Sequence, residues 1–428
     1  MFSTRYNLTE IPELNNIMYG TNVDDTNIND TNTNINDTNI LKLNKVECRT
    51  SNNAKYSVIR YDKKLLTSDL ISTYGLCRSI IVNSQNRVVS FAPPKSISSE
   101  QFITKYPENT HGVVAEEFLE GTMMNVFWDS SLGLNGSWEI ATRNTPGATS
   151  SFFKSQKNKT FRDMFLEAMN ASNLKLDMLN KEYCYSFVLQ HPENRIVIPF
   201  KTPQLYLVAL YYIQYIDSNI FVNVVDRDLF KYYCINSSVN INIKFPETYE
   251  LNKYAELIEK YASMNTSYDI VGVVLYNTTT SERSKIRNPV YEQVRNLRGN
   301  QPKLQYQYLS LRKEGRVKDF LKFYPENKKQ FSDFRDQVHL FTNTLFSNYK
   351  SCYVKKEKPL KDFSQEYRTH MFHIHQIFIN ELRENRGIIT NTVVQKYVNE
   401  MPTTLLMYCL NFQMRKRNVE TISADSNL

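Results

Sequence analysis

The chain has 428 residues, of which 41% are hydrophobic and 22% are charged, a composition typical of a globular protein with two or three domains. Its longest apolar runs, such as residues 205–213, are much shorter than the roughly 20 residues of a membrane span. The N-terminus has no basic region followed by an apolar one, so we expect no secretion signal and no membrane association. The six cysteines form no CxxC pair, which excludes a disulfide framework and a zinc knuckle. These features predict a soluble, cytoplasmic protein without a metal site.

The N-terminal region contains a low-complexity segment. Residues 20–39 read GTNVDDTNINDTNTNINDTN, and so few apolar side chains cannot offset the entropy lost on ordering. We expect residues 1–40 to form an N-terminal arm that carries this segment. Such Asn/Asp/Thr repeats indicate an AT-rich genome, as in a large DNA virus or a protist.

The following region is dominated by short β-type runs punctuated by Asn, Ser and Gly. One helical stretch, residues 160–170, interrupts them. The pattern predicts an α+β domain built on antiparallel sheet across residues 41–288. The predicted strands cover residues 56–61, 79–82, 87–91, 122–128, 138–142, 183–189, 205–212 and 270–276.

After about residue 289 the pattern changes to long amphipathic stretches, which predict an all-helical C-terminal domain over residues 289–428. The predicted helical stretches cover residues 317–323, 329–348, 363–386 and 392–401. Within them His370, His373 and His375 crowd one stretch, and because no carboxylate completes a ligand set we favour ordinary packing over a metal site.

Four short motifs follow one another in a distinctive order. They read CRSIIV at 77–82 with VSFAPPKS at 89–96, EFLEGT at 117–122, YSFVLQHPENRIV at 185–197, and VGVVL at 271–275 closed by KIR at 285–287. In this order they resemble the ATP-dependent RNA ligases of the bacteriophage T4 ligase 1 type, in the covalent nucleotidyltransferase superfamily. The resemblance covers roughly residues 70–290 and implies a nucleotidyltransferase domain.

The residues on which catalysis depends in that family are replaced here. A family lysine attacks the α-phosphate of ATP and passes AMP to an RNA 5′-phosphate, and the matching position holds Phe118. By the same resemblance, Ser186 replaces a glutamate that contacts ribose, and Val271 replaces a glutamate that helps to hold a metal. We therefore expect no catalytic residue. Phe118 either stacks on a base or packs into the emptied pocket, and the second alternative is favoured.

The basic residues of the motifs are retained. By resemblance, nucleotide and phosphate binding falls on Arg78, Lys95, Glu120, Arg143, Lys285 and Arg287. Random decay would not spare one sign of charge, so we expect a groove that binds RNA, ATP or another nucleotide. The alternative is that these cations are tolerated survivors. If a nucleophile has been relocated, Lys95 and Lys285 are the candidates.

A basic segment follows the last motif. Residues 283–322 contain eleven basic and three acidic residues, which equals the net charge of +8 of the whole chain. Basic residues interleaved with Tyr291, Tyr306 and Tyr308 suit single-stranded RNA, because tyrosines can stack on bases; a solvated helical face or a hinge is the alternative. The predicted RNA-binding residues are Arg295, Arg298, Lys303, Tyr306, Arg312 and Lys313.

The leading hypothesis is a catalytically defective RNA-ligase-like protein that binds RNA or a nucleotide-like RNA 5′ end. A second hypothesis is a scaffold or adaptor subunit of a viral mRNA-processing or translation assembly, with protein partners on the helical domain. A third is an active ligase with a relocated nucleophile. A viral origin would place the protein in a viral factory or a virion.

Overall fold

A computed structural model describes residues 2–19, 42–152 and 159–414. The low-complexity segment 20–39 lies outside the described residues. The chain divides into two compact units, Met1–Gln293 and Val294–Leu428.

The first unit contains the strands. Their bounds are Phe2–Asn7 (β1), Leu43–Arg49 (β2), Lys55–Tyr61 (β3), Ile80–Asn83 (β4), Val88–Phe91 (β5), Val113–Glu117 (β6), Thr122–Asp129 (β7), Ser137–Thr142 (β8), Tyr183–Gln190 (β9), Gln204–Ile216 (β10), Asn219–Val225 (β11), Thr248–Tyr249 (β12), Gly272–Asn277 (β13) and Arg283–Arg287 (β14).

Helices pack on the sheets of the first unit and make up the second. Their bounds are Leu14–Tyr19 (α1), Ser99–Lys105 (α2), Phe161–Ala171 (α3), Arg227–Asn236 (α4), Tyr254–Tyr261 (α5), Pro289–Arg298 (α6), Leu304–Lys313 (α7), Val317–Phe323 (α8), Lys328–Tyr349 (α9), Gln365–Ile377 (α10), Asn391–Glu400 (α11) and Thr403–Leu410 (α12).

A six-stranded antiparallel sheet in the order β1-β11-β10-β9-β7-β8 is the centre of the first unit. Its strand β9 is buried on both faces because alternate side chains enter two different cores. Tyr185 and Phe187 face one core with helices α3 and α4. Cys184 faces the other core, which also contains Val58 and Ile80 from the sheet β2-β3-β4-β5.

A second four-stranded sheet, β12-β6-β13-β14, packs on α2 and α5. Its pairs are antiparallel, and its core contains Phe102, Ala115, Leu257 and Val273. This sheet carries the motif residues Glu117 on β6 and Lys285 and Arg287 on β14.

Residues 2–19 belong to the first unit. Strand β1 pairs with β11 at the edge of the six-stranded sheet, and Leu8, Leu14 and Met18 are buried in its core. The described part of the expected N-terminal arm is therefore held by sheet pairing and apolar burial.

The expected fold class is confirmed, since antiparallel sheets are followed by a helical C-terminal region. The eight predicted strands match β3, β4, β5, β7, β8, β9, β10 and β13, and the predicted helix at 160–170 matches α3. The structure adds six further strands and the helices of the first unit other than α3. Among them, β14 reads RSKIR, and its charged residues hide a strand from an apolar pattern.

We expect Gly272→Ala to destabilise the first unit strongly. Gly272 has φ +133°, and an added Cβ would lie 2.1 Å from the carbonyl oxygen of Ile286 on β14, so the strand pair must separate. The expected loss is about 3 kcal/mol or more in the free energy of unfolding, measured by urea denaturation. The matched control is Gly133→Ala, which has φ +60° but open space around the added Cβ and should cost only about 1 kcal/mol. Equal losses for the two variants would contradict the expectation.

Candidate anion-binding site

Three strand ends of the sheet β12-β6-β13-β14 meet at one edge. The register pairs Val273 with Glu117 and Gly272 with Arg287, so the end of β6, the start of β13 and the end of β14 are neighbours. Phe118, which follows β6, and Val271, which precedes β13, therefore lie at this edge. Strand pairing thus brings together motifs that are far apart in the sequence.

Phe118 lies under two cations. Lys285 Nζ is 5.0 Å and Arg287 Cζ is 5.5 Å from the centroid of its ring. Both distances are within the range of a cation–π contact. Phe118 therefore contacts both basic residues of the last motif.

Lys285 is partly buried and, among the described residues, has neither an ion-pair partner nor a hydrogen-bond acceptor. Burial lowers the pKa of Lys285 to about 6, and the smaller causes are four neighbouring cations, namely Arg283, Arg78, Arg287 and Lys95. Like charges in a partly desolvated site disfavour the protonated amine. The site therefore has an excess of positive charge that the surrounding protein does not neutralise.

Arg78, Lys95 and Arg143 belong to the same group of cations. Burial, followed by the charges of Arg283 and Arg143, lowers the pKa of Arg78 to about 10. Burial, followed by Arg78 and Arg287, also lowers the pKa of Lys95. The structure thus brings together all five of the cations that were expected to bind phosphate. Among the described residues, Arg287 alone of these five forms an ion pair, with its Nε 3.2 Å from Glu292 Oε1.

Arg283 is a sixth member that the sequence analysis missed. On β14 the side chains at 283, 285 and 287 share one face, while Ile286 on the other face packs against the core of this sheet. The Arg283 guanidinium donates to Pro94 O at 2.8 Å, and its Nε is buried without an acceptor among the described residues. The alternation of basic residues in the sequence RSKIR is the feature that could have identified Arg283 as a member of this group. We call Arg78, Lys95, Arg143, Arg283, Lys285 and Arg287 the cation cluster.

Glu120 is buried against the loop that follows β9. Its carboxylate accepts hydrogen bonds from the backbone N–H groups of Val197 and Ile198 at 3.0–3.3 Å. Burial raises the pKa of Glu120, against the lowering effect of these hydrogen bonds and of one from Tyr291. These hydrogen bonds therefore fix the loop after β9. The neighbouring Gly121 packs on β9, where an added Cβ would lie 2.5 Å from Leu189 O.

Ser186 and Asn125 are paired across β9 and β7. Ser186 is fully buried and its Oγ donates to Asn125 Oδ1 at 2.8 Å. Asn125 is also fully buried, and its Nδ2 has no acceptor among the described residues. Val271, in turn, is buried and has an apolar side chain. Neither Ser186 nor Val271 carries a carboxylate.

The expected RNA-binding residues lie on and between helices α6 and α7. Arg295 and Arg298 are half-buried on α6, Lys303 is exposed, and Lys313 is exposed with its Nζ 3.3 Å from Glu400 O. Tyr306 and Arg312 are half-buried on α7.

Two of the three tyrosines expected to stack on bases are not available. Tyr291 and Tyr308 are buried, with exposed fractions of 4% and 3%. Tyr308 packs against Phe331 and Phe334. The stacking expectation is wrong for these two residues because their rings are buried and cannot reach a base. It remains a prediction only for Tyr306.

The histidines of α10 contact neighbouring side chains. His370 Nδ1 is 2.8 Å from Tyr397 Oη and its Nε2 is 3.2 Å from Cys409 Sγ, and His375 stacks on Tyr353. In the described ranges, no group of three or more His, Cys, Asp or Glu residues could hold a metal ion. None of the helices that the structure describes has the length and apolar character needed to cross a bilayer.

Comparison with known proteins supports a relationship to RNA ligases. The chain is 24% identical over 281 residues to an RNA ligase from Rhodothermus phage RM378, covering 57% of this chain and 60% of the phage protein. The chain thus spans less than two thirds of the length of that curated relative. No family model matches the chain.

Solved structures similar to the chain include Naegleria gruberi RNA ligase variants. One with ATP and Mn has a TM-score of 0.33 at 14% identity, covering 47% of this chain and 57% of that chain. An apo variant has a TM-score of 0.32 at 16% identity with the same coverage.

We expect the free energy of unfolding to rise with pH between about 6 and 10.5, because the pKa of Lys285 is about 6 in the folded protein and 10.5 is its ordinary value. In this window the unfolded lysine binds a proton that the folded one does not, so raising the pH favours the folded state. Lys285→Met should flatten this rise and increase stability at pH 7, with each pKa unit worth about 1.4 kcal/mol. Urea denaturation at several pH values measures the effect, with the exposed Lys63→Met as control. An unchanged slope in Lys285→Met would contradict this account.

Proposed function

We propose that this chain is a catalytically defective RNA-ligase-like protein, a degenerate relative of the T4 ligase 1 type, that binds RNA or a nucleotide-like RNA 5′ end. The cation cluster is the observation that carries the proposal. Its members converge from strand β14, from the segment just before β4 and from the segments just after β5 and β8, and by the resemblance Phe118 lies where the family has its nucleophile. A site of this kind binds the substrate's phosphates without attacking them.

The charge balance of the cluster favours an anionic ligand. Four cations are neighbours of Lys285, and among the described residues no acidic side chain offsets their effect on its pKa. A phosphate group placed there would offset the repulsion and raise the pKa of the Lys285 ammonium. The arginines suit phosphate because their planar guanidinium groups donate two parallel hydrogen bonds. Binding energy therefore comes from charges that the folded protein already holds together.

Asn125 supplies a further feature that fits a nucleotide. Its Nδ2 is a buried donor without an acceptor among the described residues, and leaving such a group unpaired costs about 1–3 kcal/mol. A hydroxyl or base acceptor would satisfy it.

In the second unit, we propose six residues of helices α6 and α7 and of the segment between them as additional RNA contacts. They are Arg295, Arg298, Lys303, Tyr306, Arg312 and Lys313, and Lys303 is exposed between the two helices.

Arg287→Glu should weaken RNA and nucleotide binding about tenfold at low salt, because it removes one phosphate contact and adds a repulsive charge. The slope of log affinity against log salt should become shallower by about one, while sequence preference stays the same. The measurement is a filter-binding titration at several salt concentrations. Arg49→Glu, an exposed arginine on β2, is the matched control and should have little effect. A wild-type protein with no affinity for RNA or ATP at low salt would overturn the proposal.

A specific observation favours one alternative, a ligase with a relocated nucleophile. Because its pKa is lowered to about 6, Lys285 presents an uncharged amine near neutral pH, as a nucleophilic lysine requires. Its Nζ is 5.0 Å from the Phe118 ring. In this alternative Nζ attacks the α-phosphorus of ATP, the P–N bond forms as the bond to pyrophosphate breaks, and the amine proton passes to water.

Incubation with α-labelled ATP and magnesium or manganese, followed by a denaturing gel, separates the two functions. The defective-ligase proposal predicts no labelled protein band, because Phe118 cannot form a phosphoramidate. A band that survives Lys95→Met and disappears in Lys285→Met would instead establish the relocated nucleophile. Salt-sensitive RNA binding without any band is the result expected here.

A further inference from the structure

A cleft of about 370 Å³ lies beside the cation cluster. It is bounded by the turn that contains Ser72, by the N-terminal part of α2, and by the β13–β14 hairpin. Its size falls within the usual range of small-molecule sites. Of the motif residues, Pro94 and Lys95 line this cleft, and most of its other walls come from residues outside the motifs.

Two residues belong to both the cleft and the cation cluster. Lys95 and Arg283 line the cleft, and both are among the cations that lower the pKa of Lys285. Residues 95–97 run beside β14, since Ile97 N donates to Arg283 O at 3.1 Å and Ile97 forms a bridge with Ser284. A phosphate held by Lys95 and Arg283 would therefore lie at the junction of the cleft and the cluster.

The remaining walls differ from those of a site for phosphate alone. One part of the lining is apolar, formed by Ile71, Leu76, Pro94 and Ile97. Polar side chains of Ser68, Ser72 and Gln101 lie on the rim. An apolar surface with a few polar groups suits a base and a sugar.

The acid that lines the cleft is already neutralised. Glu282 forms an ion pair with Lys105 at 2.7 Å and accepts a short hydrogen bond from Tyr106 Oη. Lys95 and Arg283 have no acidic ion-pair partner among the described residues, so the cleft keeps a positive charge next to the cluster. This charge favours a phosphorylated ligand over a neutral or cationic one.

We infer that the cleft is a nucleoside subsite, which takes the base and sugar attached to a phosphate held by Lys95 and Arg283. The inference rests on the proposed function and narrows its ligand to a phosphate-linked nucleoside that extends beyond the cation cluster. Two sources share this chemistry, a free nucleoside triphosphate and the terminal nucleotide of an RNA. Inorganic polyphosphate, which lacks the nucleoside, fills only the cluster.

The test is titration calorimetry of the full chain with three probes, namely inorganic tripolyphosphate, ATP and a 5′-phosphorylated RNA trinucleotide. Ser72→Trp places an indole in the cleft from an exposed turn. It should weaken binding of a nucleoside-containing probe about tenfold and change tripolyphosphate affinity less than about twofold. Weakening of ATP alone identifies a free nucleotide as the occupant, and weakening of the RNA identifies an RNA end. Ser218→Trp, at an exposed turn between β10 and β11, is the matched control.

Unchanged affinity of Ser72→Trp for both ATP and RNA, with Arg287→Glu still weakening them, overturns the subsite and leaves the proposed function intact. A wild-type protein that binds none of the three probes instead overturns the proposed function. Should Ser72→Trp fail to fold, Ser68→Trp on the same rim provides the same test.

Discussion

Repulsion among like charges at the junction of three strands is the constraint on which the site depends. Strand β14 places Arg283, Lys285 and Arg287 on one face by its period of two, and the fold adds Arg78, Lys95 and Arg143 to them. Replacing such a residue by a neutral one would relieve repulsion and stabilise the folded state. Retention of the whole cluster is therefore understandable if its charges act on a ligand, because their cost is otherwise uncompensated.

Glu120, Ser186 and Val271 differ in what their side chains contact. Glu120 is tied to the backbone N–H groups of Val197 and Ile198, so its loss would leave buried donors without an acceptor. Ser186 and Val271, in contrast, fit their surroundings as a small hydrogen-bonded group and an apolar one. Glu120 thus holds a loop through its carboxylate, whereas Ser186 and Val271 carry no charge.

Sequence periodicity predicted the fold class and the strands with apolar alternation, such as β9, because burial on a sheet face requires that spacing. It missed β14, whose alternating residues are charged, and β1, whose partner β11 is more than 200 residues away. For the candidate site, the resemblance selected five of the six clustered cations. It missed Arg283, because single motif residues were matched without following the strand. The basic segment also suggested Tyr291 and Tyr308 as residues that stack on bases, although both are buried.

The amino-acid sequence by itself determined the order of the motifs, the phenylalanine at position 118 and the excess of basic residues, since each is a property of residue identity and spacing. Only the tertiary structure decided which charges become neighbours, that Glu120 supports a loop, and that Lys95 and Arg283 also line a cleft. The physical reason is that pairing between distant strands and burial among cations create the local field. The pKa of Lys285 is lowered, and the cleft takes its shape, only when folding brings together residues that are far apart in the chain.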